Sequence, residues 1–478
     1  NLLFAADAAY LVDLTIRIPI INITFGKTIR GVCTYPPNGS GQSCRPTATL
    51  AAAQGGAEWS WIPHPGAAAL FQGQTAQPVT LAAGQIVTSV LVSNVYTYVT
   101  DVLAIDPVNN QLLALWDHDD IAKPVGHSLE IMSSRWDGSS WSTPASLTDN
   151  NFMDAMPQVA WTTGGQAVAL WHRLNQVMPA DSAPVMTNTN AIEIATAIYD
   201  PGAGGWSAPL LLTDNDAADY GVEMARSTDG KVAAVWIQQR DGLALDAPEQ
   251  SGAIVAAFFD TGWDTPQIVV DDITHLEEVA VGYGAGHASI VYTQRVESEA
   301  AIASAASSPR QIFVAWWDGS HWSPPQQVTN DNRDHREINL VYNAQNQPLL
   351  VWLAGDDLRL QNLATGANAA ASITEGVAGF EAGISDALSV VQDQQGNLAA
   401  VLRGQGAQAD LYAAFFDQAH QSWSTPRRLL EDAASERSPA PALDADGNLH
   451  LLYGATQLEQ VNTPAQLDSG ETVTLSVP

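Results

Sequence analysis

Three arginines carry the first chemistry to weigh. Arg173, Arg240 and Arg295 stand two, four and three residues past Trp171, Trp236 and Tyr292, each of which closes an apolar run, and His172 lies beside the first. Guanidinium groups gathered on one rim can hold a carboxylate through paired, charge-assisted hydrogen bonds. Unequal offsets make the three positions inequivalent, so rim salt bridges, contact with an anion or sugar, and catalysis are the alternatives. Carboxylates form a second set: Asp149 and Asp154, then Asp214, Asp216 and Asp219, with Asp331 and Asp334 later. Such loops either stay solvated or bind calcium through oxygen ligands. The only cysteines, Cys33 and Cys44, bracket a loop rich in Pro and Gly and are expected to close it as a disulfide. With no Cys or His nearby to complete a zinc site, that pairing fits an oxidising, extracellular setting.

No nucleophile elbow, phosphate loop or HExxH helix occurs. A glycosidase would need none of these, because its two carboxylates can come from distant parts of the chain.

What must position these residues is a repeat. The stretch 197–209, AIYDPGAGGWSAP, recurs as Trp-x-x-Pro marks at Trp141, Trp206, Trp263, Trp322 and Trp423, each after an apolar run closed by Asp. Intervals of 65, 57 and 59 residues precede one of 101, which holds two units. The clearest unit reads as strand 157–161, turn 163–166, strand 167–171, a long loop, strand 192–199, a Gly-rich turn and strand 206–213. Four short strands per unit without helical periodicity describe a β-propeller blade. Hairpins 102–105 with 112–116, 338–342 with 349–352, 388–391 with 398–402, and 442–445 with 449–453 complete the count, and 370–374 is a decayed mark. The fold expected is all-β: a seven-bladed propeller over 93–478, with six or eight blades as alternatives, after an N-terminal β module at 1–92. Strands 458–461 and 472–477, or the N-terminal segment, would close the last blade.

Each Trp of the mark is expected to wedge between blades, and Asp137, Asp200, Asp260, Asp318 and Asp417 to fix the turn by accepting backbone N–H groups. The string Asp444-Ala445-Asp446-Gly447-Asn448 opens like a calcium-binding EF-hand loop, but Ala455 stands where its closing Glu belongs, and a hairpin turn is the reading. Residues 14–25 read as one edge strand bearing Pro19, which could pair with a neighbouring molecule and build a filament.

The strings Arg135-Trp136-Asp137-Gly138-Ser139-Ser140-Trp141 and Trp317-Asp318-Gly319-Ser320-His321-Trp322 resemble the Asp-box of sialidase-type propellers. That motif has one residue between Asp and Gly and its Trp one place later, so the match is to the pattern of a turn. The resemblance implies a propeller over roughly 93–453 and a structural role for the turn. It implies no activity, since no residue set here matches a sialidase Tyr/Glu nucleophile pair and acid/base Asp. The Trp units also resemble the tryptophan-docking repeat of quinoproteins without its Thr-Gly pair, which argues against a quinone cofactor. Residues 78–88 and 467–475 resemble strings that close small immunoglobulin-like sandwiches.

With 19 basic against 51 acidic residues the formal charge is −32, and only Lys27, Lys123 and Lys231 are lysines. Nucleic acid and anionic membrane surfaces are therefore poor candidate partners, whereas calcium or a cationic partner is compatible. No apolar run reaches the roughly 18 residues of a spanning helix. A first residue other than Met is expected of a processed or excised product. Long loops after the second strands, at 117–127, 173–190, 239–251 and 294–310, share a face with the acidic loops between blades. The function expected is a non-catalytic, secreted or cell-surface propeller that binds glycan, protein or copies of itself there. A sialidase-like glycoside hydrolase and a filament subunit are the alternatives.

Overall fold

The computed structural model describes residues 90–92 and 100–457, apart from 121, 125–126, 163, 178–190, 240–250, 297–307, 356, 373–387, 393–395, 405–408, 418–420, 431–433 and 445–447. It adds the backbone of strands within 9–46 and 461–477. The chain divides into two compact units, Val99–Ala455 and a second formed by Asn1–Tyr98 with Thr456–Pro478.

The larger unit is built from apolar runs rich in Ala and β-branched residues, each too short to bury itself alone. In the first blade they form four antiparallel strands, Asp101–Ile105, Leu112–Asp119, Leu129–Trp136 and Ala145–Ser146, in sequential order. Five more sheets follow the same order at 153–211, 218–274, 276–327, 335–372 and 388–428, giving blades I to VI. Blades II and VI split the fourth strand into two pieces. Second strands sit between neighbouring sheets on both faces, which is why Ala167–Leu174 is buried at every position. Cores lie between blades: Leu115 and Ile131 meet Trp161 and Trp171, and Leu170 and Ile194 meet Val222 and Trp236. Apolar side chains interdigitate there as stacked sheets require.

First strands touch one another from blade I to blade VI, and the strand Ala434–Leu443 stands between the first strands of VI and I, so the circle closes. Among the described residues it pairs only with Leu449–Gln457. The ring therefore holds six four-stranded blades and one two-stranded hairpin. A seventh four-stranded blade is not found among the described residues. Of the strands expected as its outer pair, 458–461 and 472–477, the second pairs with Val461–Gln466 instead, and 458–460 lie outside the described residues. The fourth strand of blade V, Asn368–Ser372, covers the first three residues of the decayed mark at 370–374, and 373–374 lie outside the described residues.

In the smaller unit the run 14–25 is two strands, not one. Ala9–Ile18 pairs with Ile23–Thr34 of its own chain, with Ile18 opposite Ile23, and Pro19 lies outside the described residues. The second of these pairs with Ser43–Pro46 and brings Cys33 opposite Cys44 in register. Their side chains lie outside the described residues. No helix among the described residues is long and apolar enough to cross a membrane.

Candidate functional site at the loop-bearing mouth of the ring

The repeated marks occupy the end of each blade where the third strand turns into the fourth. In blade I, Asp137 accepts the Ser140 and Ser139 N–H groups at 2.9 and 2.8 Å, and these donors hold its carboxyl down to about 2. Asp318 does the same for His321 and Ser320, also to about 2. Gly138 and Gly319 follow with φ of 101° and 100°, open only to glycine at low cost. The residue after each Trp returns the favour to the third strand: Ser142, Ser207, Asp264, Ser323 and Ser424 accept the N–H of Arg135, Ile198, Phe258, Trp316 and Phe415. Trp206 and Trp263 donate across the blade boundary to Ser133 and Thr196, each at 3.0 Å. Trp141, Trp322 and Trp423 pack within 5.7, 5.4 and 5.1 Å of an aromatic residue at or next to the end of their own third strand. These contacts are scaffold.

The other end carries the loops between blades, and there the expected site residues part company. Asp154 is fully buried and accepts Arg173 Nε at 2.7 Å, Arg173 NH2 at 3.0 Å and Trp171 Nε1 at 2.7 Å. Arg173 is itself buried over the Phe152 ring. The pair is internal and offers neither a free guanidinium to an anion nor a free carboxylate to calcium. Asp219 is likewise fully buried, accepting Trp236 Nε1 at 2.8 Å, Gln238 Nε2 at 2.9 Å and Asn215 Nδ2 at 2.6 Å. Burial raises its carboxyl. His335 fills the place in blade V, accepting Trp352 Nε1 at 2.9 Å on Nδ1, so its other nitrogen is the donor to Asp331. The three pairs share a spacing of 17 residues from polar group to Trp.

His172 is buried, and its Nε2 accepts the Val222 N–H of blade III at 3.2 Å. Burial pushes its imidazole down to about 4, so it is neutral near pH 7 and supplies no positive charge. Arg295 pairs with Glu277 and donates to the Ser308 carbonyl at 2.9 Å. Its neighbour Arg310 joins Glu277, Glu278 and Asp334. Arg240 lies outside the described residues. Asp149 holds Lys123, and Asp214 and Asp216 are exposed. Among the described residues no three His, Cys, Asp or Glu side chains converge as a metal site.

Sequence reasoning missed the inner rim. The first strands of blades II to V each slip register by a β-bulge near the mouth, at 155/158, 220/223, 276/278 and 336/339. Bulged backbone turns amides toward polar side chains of the preceding blade. Met156 N–H donates to Asp117 at 2.8 Å and Ile338 N–H to Glu278 at 3.2 Å; in blade VI, whose first strand keeps its register, Leu388 N–H donates to Glu337 at 3.2 Å. Burial drives Asp117 up to about 7 and raises Glu278. Directly after the bulge of blade III stands Glu223. Val222 and Met224 on either side pack into the core between blades II and III, so Glu223 points away from it, on the strand whose unpaired edge faces the axis. It is exposed, yet enclosed enough that desolvation carries its carboxyl up to about 7. Among the described residues no hydrogen bond or ion pair to its side chain is found. An accessible carboxyl that changes charge near neutrality can accept or donate a proton or a hydrogen bond to whatever enters the ring.

No family model and no curated protein sequence matches this chain. Solved structures similar to it are propellers of low identity. A polysaccharide lyase of family PL25, an ulvan lyase, is 10% identical over 74% of this chain and 89% of its own, with a TM-score of 0.48. The GH93 α-L-arabinofuranosidase of Fusarium graminearum is 12% identical over 69% and 96%, with a TM-score of 0.44. A Hadza microbial sialidase is 11% identical over 63% of each chain, with a TM-score of 0.42. At such identities and scores, what those proteins bind or cleave says nothing of this chain, and the propeller assignment rests on the sheets described above.

Proposed function

We propose that this chain is a non-catalytic binding propeller of a secreted or cell-surface protein, taking a neutral, polyhydroxylated ligand of the glycan class at the loop-bearing mouth. The observation that carries the reading is the contrast between Glu223, accessible and unengaged on the inner rim, and Arg173, Arg295 and Arg310, all neutralised by carboxylates. A carboxylate accepts hydrogen bonds from hydroxyl groups, and a protonated carboxyl also donates to them. An anionic sugar would need a free cation that these three arginines do not supply. The hairpin of residues 434–457 is, in this reading, the inner half of a seventh blade, and Cys33–Cys44 is a disulfide across its hairpin.

A glycan array probed with the full chain and with Glu223→Ala is the test. Binding to neutral glycans that falls at least tenfold in the variant is expected. Binding confined to sialylated or uronic glycans, or unchanged in the variant, overturns the assignment. A second reading, a glycoside hydrolase, rests on the same accessible, unpaired Glu223, since a carboxyl open to ligand can serve as a general acid. Steady turnover of fluorogenic glycosides, lost in Glu223→Gln, would replace the first reading by the second.

A further inference from the structure

The outermost strands of the six blades are not alike. Those of blades I, II, IV and VI pair over two residues at a time, with Ala145–Ser146, Leu210–Leu211, Gln326–Gln327 and Arg427–Arg428 at the edge, and that of blade V is Asn368–Ser372. In blade III the strand is Gln267–Thr274, eight residues long. The cause stands seven residues past the Trp of the mark. Thr148, Thr213 and Thr329 occupy that place in blades I, II and IV and accept the N–H groups of Ile131, Ile194 and Ile312 at 2.8, 2.8 and 2.9 Å, which closes the ladder. Blade III has Val270 there, which cannot accept. Its ladder runs on, with Ile254 opposite Val270, Gly252 opposite Ile273 and Ser251 opposite Thr274.

Among the described residues no strand pairs with the outer side of Gln267–Thr274. An open edge of that length is a template for a further strand. Its side chains are apolar as well: Ile268 is 49% exposed, with Val269 and Val270 half-buried beside it. Blades I, IV and VI carry Ser146, Gln327 and Arg428 at the place of Ile268, so their short edges are also polar. Beyond Val270 the strand turns acidic, with Asp271 and Asp272 both exposed and Asp272 at a φ of 55°. Register slips at 252/254 and 254/255 twist the edge, which disfavours flat stacking of one copy on another.

Charge decides what such an edge admits. A second copy of this chain brings the same two aspartates and the same net charge of −32, so pairing with itself is opposed, while a cationic segment is drawn in. We infer that the outer edge of blade III takes an extended segment of a partner protein as a fifth strand, with apolar side chains against Ile268 and a Lys or Arg at the end that meets Asp271 and Asp272. Main-chain hydrogen bonds supply the affinity of such a contact. The apolar stretch and the two acids beside it choose the partner.

The test is fluorescence anisotropy of a labelled short peptide, alternating valine and threonine between terminal lysines, titrated with the full chain. Saturable binding is expected. It should weaken at least tenfold in Ile268→Lys, since an edge lysine blocks strand addition, and less than twofold in Ser146→Lys, which adds the same charge at the same exposed place of blade I. Asp271→Asn with Asp272→Asn should weaken it at least fivefold, and asparagine tolerates the positive φ at 272. Thermal midpoints equal to that of the parent chain check that these variants are folded. A peptide ending in glutamates, and one N-methylated at alternate backbone amides, should each bind at least tenfold more weakly. The inference is overturned by no saturable binding, by equal losses in Ile268→Lys and Ser146→Lys, or by a methylated peptide that binds as well as the plain one. It is overturned too if sedimentation shows the chain alone associating with itself and Ile268→Lys abolishing this, for then a second copy occupies the edge. None of these outcomes depends on Glu223 or on glycan binding.

Discussion

Where the third strand of a blade turns into the fourth, five blades use one solution: the residue after the Trp accepts the same third-strand amide, whether it is Ser142, Ser207, Asp264, Ser323 or Ser424. At the opposite end one position is Asp154 in blade II, Asp219 in blade III and His335 in blade V, each under a second-strand Trp. Its companions change as well, from Arg173 to Gln238 beside the aspartates and from Asn150 to Asp331 in the loop. The hairpin end is held constant because a turn has one geometry to satisfy. The mouth only has to satisfy hydrogen bonds and balance charge, and several sets of side chains do so.

That difference can be broken most forcefully at blade II. Asp154→Ala leaves the Arg173 guanidinium buried without its counter-charge and should cost about 3–5 kcal/mol in urea unfolding. Arg173→Gln converts the site to the pattern of Asp219 with Gln238, and about 1–2 kcal/mol is expected. Equal losses would mean that the ion pair is not what distinguishes the two blades.

Blade V tests the interchange directly. His335→Asp keeps an acceptor for Trp352 but sets a carboxylate beside Asp331, and like charges at that distance should cost about 1–2 kcal/mol. Adding Asp331→Asn recreates the Asn150–Asp154 pair and should recover most of the loss. A double variant no better than the single one would show that the mouth positions are not interchangeable.

Glu193 sharpens the comparison through pH. Burial lifts its carboxyl from 4.5 to about 7 in the folded chain. A raised carboxyl contributes stability that is present below the unfolded value and lost as pH climbs through the folded one. Glu193→Gln, which imitates Gln311 at the same place of blade IV, should therefore be neutral at pH 4 and stabilising by about 1–3 kcal/mol above pH 7. Denaturant curves at the two pH values decide it.

Much of the hairpin end could be read from residues alone, because Trp-x-x-Pro and its preceding Asp lie within one turn and their partners are close in sequence. The second strands were legible as well, since period and apolarity specify them. The mouth was not. Asp154 and Trp171 sit 17 residues apart, a spacing repeated by Asp219 with Trp236, but the change to His335 in blade V hides the rule unless the pairing is known. Glu223 depends on a bulge, and a register slip leaves no mark in hydrophobic periodicity. Residues 472–477 alternate as a strand should, yet alternation does not name the partner, and they pair with 461–466. Arg173 and Arg295 were expected on a rim; one is interior because its partner aspartate is.

The smallest expected effect tests whether the hairpin end is uniform in every copy. Trp206 and Trp263 reach a hydroxyl on the preceding blade, Ser133 opposite Leu115 and Thr196 opposite Leu170. In register the same place is Ala256, opposite Val235, in blade III and Leu360, opposite Val351, in blade V. Neither can accept, and the Nε1 atoms of Trp322 and Trp423, which face those blades, are buried without a partner. A buried donor left unmade costs more than a made bond contributes. Ala256→Ser supplies the missing oxygen with little added volume, so a gain of about 0.5–1.5 kcal/mol is expected in denaturant midpoint at unchanged slope. The same substitution combined with Trp322→Phe, which has no donor, should give no gain. A gain that persists there would place the effect in the strand and not in the tryptophan.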